Sequence, residues 1–92
     1  MAAMEFEWDD AKDAANRTKH GVSLADAVGL DWEVGVDLID SRGTYGEVRI
    51  IRYARIESRL WVCVYVYRNE KRRIISLRKA NKREIIYYGI SR

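Results

Sequence analysis

The 92-residue chain predicts an α+β domain: a small antiparallel β-sheet with helices packed on one face. Three observations carry that expectation. Periodicity gives the order strand, helix, helix, four strands, helix, with the helical segments set apart from the main run of strands. The links between the last three strands are short, as an antiparallel meander requires. Leu60 to Tyr67 is apolar on both faces, so it belongs in the middle of the sheet. The chain contains no Pro and no linker or repeat, and residues 1–92 read as one domain.

Glu5-Phe6-Glu7-Trp8 alternates polar and apolar residues and suits a short first strand. Asp9 is placed to cap a helix running from about Asp10 to Lys19. Acidic residues lie at its start, and Arg17, Lys19 and His20 at its end, as the helix dipole favours. Gly21 supplies the left-handed stop. Ser23 caps a second short helix whose apolar residues are Leu24, Ala25, Ala27, Val28 and Leu30. Trp32 to Asp40 reads as a strand, Ser41 to Gly46 as a turn, and Glu47 to Ile56 as a long strand. After Leu60–Tyr67, Arg68-Asn69-Glu70-Lys71 forms a hairpin into the strand that starts at Arg72. From Arg78 the pattern turns helical, with Ile85, Ile86, Tyr87 and Tyr88 as the apolar side. Arg78 and Lys79 therefore sit at a strand-to-helix junction. Two cations beside the free N–H groups of a helix start suit a phosphate; a solvated basic turn is the other reading.

Charge is divided unevenly. Residues 1–46 hold four Lys/Arg and ten Asp/Glu, a balance of −6. Residues 47–92 hold thirteen and four, a balance of +9. Twelve of the cations are Arg, whose planar fork matches phosphate and carboxylate. Such a basic half points to a polyanion or an acidic protein partner. The single Cys63 excludes an internal disulfide and a multi-cysteine zinc site, and reads as a buried, inert thiol. No apolar stretch approaches the roughly 20 residues of a membrane span. Met1-Ala2-Ala3-Met4-Glu5 lacks the basic start and apolar core of a signal peptide. A cytoplasmic protein is expected.

With one histidine, a two-histidine acid–base site is excluded. No residues have metal-ligand spacing, no glycine-rich phosphate loop is present, and no nucleophile constellation stands out. No cofactor is expected. The remaining candidates lie on the C-terminal strands. Glu47 and Arg49 share one strand face and can stand side by side. Arg68 closes the central strand and Arg78 the next. The start of the Glu47 strand and the end of the Arg78 strand are expected toward one edge, with Arg68 at the opposite end. The chemistry that fits is metal-free phosphoryl transfer within RNA. Glu47 is then the general base for the 2′-OH, Arg78, Lys79 and Arg49 stabilise charge on the phosphate, and Arg68 is a fourth candidate catalytic residue. Lys79, Lys82 and Arg83 are the candidate substrate-binding cations. Each has a plainer reading: Glu47–Arg49 as a surface ion pair, Arg68 as a solvated hairpin residue, His20 as a helix C-cap. Tyr87 and Tyr88 suit base stacking or helix–sheet packing, and Trp8, Trp32 and Trp61 suit the core or a partner interface.

Several of these residues also form a family pattern. Phe6-Glu7-Trp8-Asp9, Lys12, Asn16, Lys19-His20-Gly21-Val22-Ser23 and Ala27 resemble the N-terminal signature of the BrnT toxins. Glu47-Val48-Arg49, Arg73 through Ala80, Glu84 and Tyr88 resemble its C-terminal signature, in order and along nearly the whole chain. Two departures stand out: Asp31-Trp32 where the family often has Asp-Pro, and Ser76-Leu77-Arg78 where it has Ser-Ala-Arg. Neither touches a candidate catalytic side chain. The resemblance implies a RelE-like fold and the toxin of a type II toxin–antitoxin system that cleaves RNA and arrests translation and growth. It also implies a ribbon-helix-helix antitoxin, BrnA, which neutralises the toxin and carries most of the contact with operator DNA. By motif it favours Glu47, Arg49, Arg68 and Arg78, with Lys79 next, and leaves Lys19-His20-Gly21 a structural role. The competing function is a non-catalytic basic module that binds nucleic acid or an acidic partner. It would tolerate an Arg-to-Lys exchange that an enzyme dependent on the guanidinium fork would not.

Overall fold

The computed structural model describes residues 4–89. Its elements are β1 (Glu5–Trp8), α1 (Asp10–His20), a 3₁₀ segment (Leu24–Gly29), β2 (Val36–Ile39), β3 (Ile50–Ile56), β4 (Arg59–Arg68), β5 (Lys71–Lys79) and α2 (Lys82–Tyr88). The expected caps are in place. Asp9 accepts the Lys12 N–H at 3.1 Å, Ser23 accepts that of Ala25 at 3.1 Å, and Gly21 ends α1 at φ 76°.

The five strands form one sheet in the order β1-β5-β4-β3-β2, with β4 central as expected. β2, β3, β4 and β5 pair antiparallel. Asn69 and Glu70, at φ 53° and 63°, make the two-residue hairpin that joins β4 to β5. The α+β class holds, with two additions to the expected layout. β1 joins the sheet parallel to β5, Phe6 beside Arg72 and Trp8 beside Ile74, because α1 and the 3₁₀ segment carry the chain across one face before the meander begins. The three helical segments are also not on one face. The first two cover the face bearing Ala54, Cys63, Tyr65, Ile74 and Leu77. α2 sets Tyr88 against Tyr53 on the other face, beside Leu60, Val62 and Ala80.

The core lies under the 3₁₀ segment, where Leu24, Tyr65, Ile74 and Leu77 are almost fully buried. Each such side chain contributes roughly 1.5–3 kcal/mol. β1 ends at Trp8, so the outer backbone edge of β5 beyond Ile74 has no strand neighbour among the described residues. Buried Asn16 of α1 takes that place. Its amide donates to the Leu77 carbonyl at 2.8 Å and accepts the Leu77 N–H at 3.1 Å. Ile75 has no partner on β4, where the register shifts between Val64 and Tyr65, and this bulge brings both Ile74 and Leu77 onto the covered face. Cys63 is buried, and desolvation pushes its thiol up to about 12, as an inert thiol requires.

Two strands start later than their sequence suggests. β2 begins at Val36 rather than Trp32, because Asp31 accepts the N–H groups of Glu33 and Val34 and folds that stretch into a turn. β3 begins at Ile50 rather than Glu47. The approach to it is held by the Asp40 N–H on the Arg49 carbonyl at 2.8 Å.

Candidate active site

Alternation along the paired strands sorts the candidate side chains by face. Arg68 lies two residues beyond Val66, and Arg78 pairs with Val62. Both therefore project from the face opposite the 3₁₀ segment. Arg49, one residue before β3, continues the Ile51 and Tyr53 side of that strand, and Glu47 follows it. All four candidate catalytic residues thus share one sheet face. Lys79 pairs with Trp61 and emerges on the other face. Lys82 and Arg83 are exposed on α2.

The arrangement along the face corrects the expected grouping. Glu47 meets Arg68, not Arg78. The Arg68 guanidinium donates to both Glu47 oxygens, at 2.9 and 3.2 Å. Each strand of a meander reverses direction, so the start of β3 meets the end of β4, while the end of β5 lies at the far end. Six residues of β4 separate Val62 from Arg68, about 20 Å of strand. The tight hairpin at Asn69–Glu70 holds Arg68 in register with Lys71 and close to Glu47.

Arg49 follows Glu47 by two residues on the approach to β3. Its guanidinium lies over the Tyr45 ring, 3.9 Å from the centroid. Its Nε is buried without a hydrogen-bond partner, and the Arg49 side chain makes no ion pair among the described residues. Tyr45 is in turn fixed from below, where its hydroxyl donates to Asp40 at 3.3 Å. The Asp40 carboxylate is buried and accepts from Arg42 through Nε, Nη2 and the backbone N–H. The Arg42 guanidinium holds that carboxylate far below the usual range. Asp40, Arg42 and Tyr45 thus give the loop before β3 one shape, and Glu47 and Arg49 ride on it. Arg73, opposite Val66, flanks Arg68 on the same face and pairs with Glu7 at 3.4 Å.

At the other end Arg78 donates to both Glu84 oxygens at 2.8 Å. Glu84 also accepts the Asn81 N–H at 2.9 Å, while Asn81 accepts that of Glu84 at 2.8 Å, a complete capping box. The phosphate expected at this helix start therefore finds Arg78 and the Asn81 and Glu84 N–H groups already engaged. Tyr88 stacks on Tyr53 at 3.8 Å, the packing role open to it in the sequence, while Tyr87 remains exposed. His20 ends α1; burial and the charges of Lys19 and Arg78 lower its pKa.

The sequence reading missed Glu7, Asp40, Arg42, Tyr45 and Arg73. Glu7 and Arg73 carry a period-two signal within their strands, but their meeting depends on the parallel β1–β5 pairing. Tyr45 lies in a turn-rich stretch where no periodicity marks it.

The comparisons agree with this architecture. A model of the family described as "Ribonuclease toxin, BrnT, of type II toxin-antitoxin system" matches residues 8–84. Among solved structures, the 1.1 Å crystal structure of the Brucella abortus ribonuclease toxin BrnT is similar. Its TM-score is 0.64 at 18% identity, over 87% of this chain and 100% of that one, a likeness of fold. No curated protein matches the chain. With the family model matching residues 8–84, well over half of the chain, the chain belongs to the BrnT family of ribonuclease toxins of type II toxin–antitoxin systems.

Proposed function

We propose that this toxin is a metal-independent endoribonuclease whose reacting groups are Glu47, Arg49 and Arg68. The observation that carries the reading is a Glu47 carboxylate held by two Arg68 hydrogen bonds, with Arg49, two residues along the chain, keeping a buried Nε that has no hydrogen-bond partner among the described residues. In the step we envisage, the Glu47 carboxylate takes the proton of a ribose 2′-OH. The new O–P bond forms while the bond to the 5′-oxygen breaks, leaving a 2′,3′-cyclic phosphate. Solvent supplies the proton that completes the 5′-hydroxyl. Arg49 faces the phosphate oxygens as charge builds on them, and Arg68 keeps the Glu47 carboxylate aimed. Arg78, about 20 Å along the strand by backbone rise, contacts a neighbouring stretch of RNA, and Lys79, Lys82 and Arg83 add general attraction for the strand.

Family membership implies an antitoxin. We take it to be a BrnA-like ribbon-helix-helix protein that neutralises the toxin in the cytoplasm and bears most of the contact with operator DNA. RNA cleavage is the cause we assign to arrested translation, and residues 1–92 act as one toxin domain.

The test is RNA cleavage by antitoxin-free protein in excess chelator, with product ends analysed. Cyclic phosphate and 5′-hydroxyl ends support the reading. RNA that is bound but left intact by a toxin that still arrests growth would favour the non-catalytic basic module.

A further inference from the structure

A cluster of cations without ion pairs lies away from the Glu47 site. Arg68, Arg73 and Arg78 are each paired with a carboxylate. Arg55, Arg59, Lys82 and Arg83 form no ion pair among the described residues. All four lie around α2. A groove of about 330 Å³ runs between α2 and the β3–β4 hairpin, lined by Arg55, Ser58, Arg59, Leu60, Ile85 and Gly89. The Arg55 guanidinium is fixed at its rim by the Ser58 and Gly89 carbonyls, at 3.1 and 2.8 Å.

The outer surface of α2 adds apolar area to this charge. Ile86 and Tyr87 are each 71% exposed, and Ile85 is 41% exposed. Lys82 and Ile86 are one turn apart, as are Arg83 and Tyr87, so each exposed apolar side chain has a cation as its helical neighbour. Glu84 and Tyr88 turn inward, to Arg78 and Tyr53. Two exposed isoleucines offer nothing to a phosphate backbone but bury well against another protein. Four unpaired cations at their margin select acidic residues.

We propose that this groove and the outer face of α2 form the docking site for an acidic, amphipathic segment of the antitoxin. Its apolar residues cover Ile85, Ile86 and Tyr87, and its carboxylates meet Arg55, Arg59, Lys82 and Arg83. The inference rests on membership of a toxin–antitoxin family and not on the chemistry assigned to Glu47. The surface lies at the opposite end of the sheet from Glu47 and Arg68.

The test uses the full-length toxin and its co-expressed, purified antitoxin, with binding measured at several salt concentrations. Ile86→Asp weakens binding by at least about 30-fold, as expected for an anchor at the centre of an interface. Arg59→Glu weakens it by about 3–10-fold and flattens its salt dependence, as expected for a rim charge. Ile39→Asp, on the exposed edge strand β2, leaves binding unchanged. Ile86 is largely exposed, so its variant folds; a matching thermal midpoint verifies this. Unchanged binding by Ile86→Asp overturns the proposal. So does loss of binding with Ile39→Asp alone, or a change in toxin self-association in place of antitoxin binding. RNA cleavage is recorded separately, so a failure of the Glu47 chemistry is distinguishable from a failure of docking.

Discussion

Arg68, the last residue of β4, donates two hydrogen bonds to Glu47, which lies 21 residues earlier at the approach to β3. Glu47 lies outside β3, so their meeting is set by the β4–β5 hairpin and by the loop that Asp40 and Tyr45 anchor. The pair is partly exposed, and pairs of this kind add little to folding. Glu47→Ala should therefore leave the thermal midpoint nearly unchanged while RNA cleavage falls by about 10²–10⁴-fold, the range for removal of a general base. Loss of stability in proportion to activity would make the pair structural.

Arg49 depends on shape as well as charge. Its guanidinium carbon lies over the Tyr45 ring, and a planar guanidinium offers oriented donors there that an ammonium does not reproduce. Arg49→Lys should lose about 10²-fold in cleavage rate, as expected on removing an oriented donor, with RNA affinity falling by less than about tenfold. Equal losses in rate and affinity would reduce Arg49 to a binding charge.

Asp40 acts through the loop and not on RNA. Its folded pKa is depressed by Arg42, so the unfolded chain binds the proton more readily. Its stabilising contribution is present above the unfolded carboxylate value of about 3.9 and is lost as pH falls through the lower folded value. Asp40→Asn should flatten the acid limb of the stability curve and slow cleavage, with the rate and not the pH optimum affected. Unfolding curves from pH 2 to 6, measured beside cleavage rates, check both halves of this expectation.

The Arg78–Glu84 pair joins β5 to the capping box of α2. Arg78→Ala should destabilise the fold by about 1–2 kcal/mol, since it removes two charge-assisted hydrogen bonds from a half-buried site. Glu84 is held below its ordinary range, first by Arg78. That contribution is present above an unfolded value of about 4.3, is lost on acidification, and is absent in the variant. Chemical denaturation at pH 7 and pH 3 distinguishes the two proteins: the gap between them closes at the lower pH.

Asn16 shows what a sequence signature can and cannot disclose. The residue stands out as part of the family pattern, but its work is visible only against Leu77, 61 positions away. Asn16→Leu should cost about 2–4 kcal/mol, because it leaves a buried N–H and C=O unpaired. A denaturant midpoint equal to the parent's would contradict that role.

Local physics made the elements readable. Alternation marks β1, a run apolar on both faces marks β4, and the caps at Asp9, Gly21 and Ser23 are short-range chemistry. What depends on distant pairing was not readable: the parallel seat of β1 on β5, the face chosen by α2, and the end of the sheet at which Glu47 lies. The type of each site residue was legible, and strand parity already put Glu47 with Arg49. Its partner across the hairpin was not legible, because strand direction, and not side-chain pattern, decides which ends meet. Arg78 drew notice as a free cation at a helix start, yet Glu84, six residues later, turns it into a structural tie.

The most direct measurement is cleavage of a defined RNA by purified, antitoxin-free toxin in excess chelator, with Glu47→Ala and Arg49→Ala beside it. Glu47 and Arg49 at the centre of a metal-free reaction predict cyclic-phosphate ends with the parent protein and at least about a hundredfold less product with either variant. Cleavage at parental rates by both folded variants would remove the reaction from this face of the sheet.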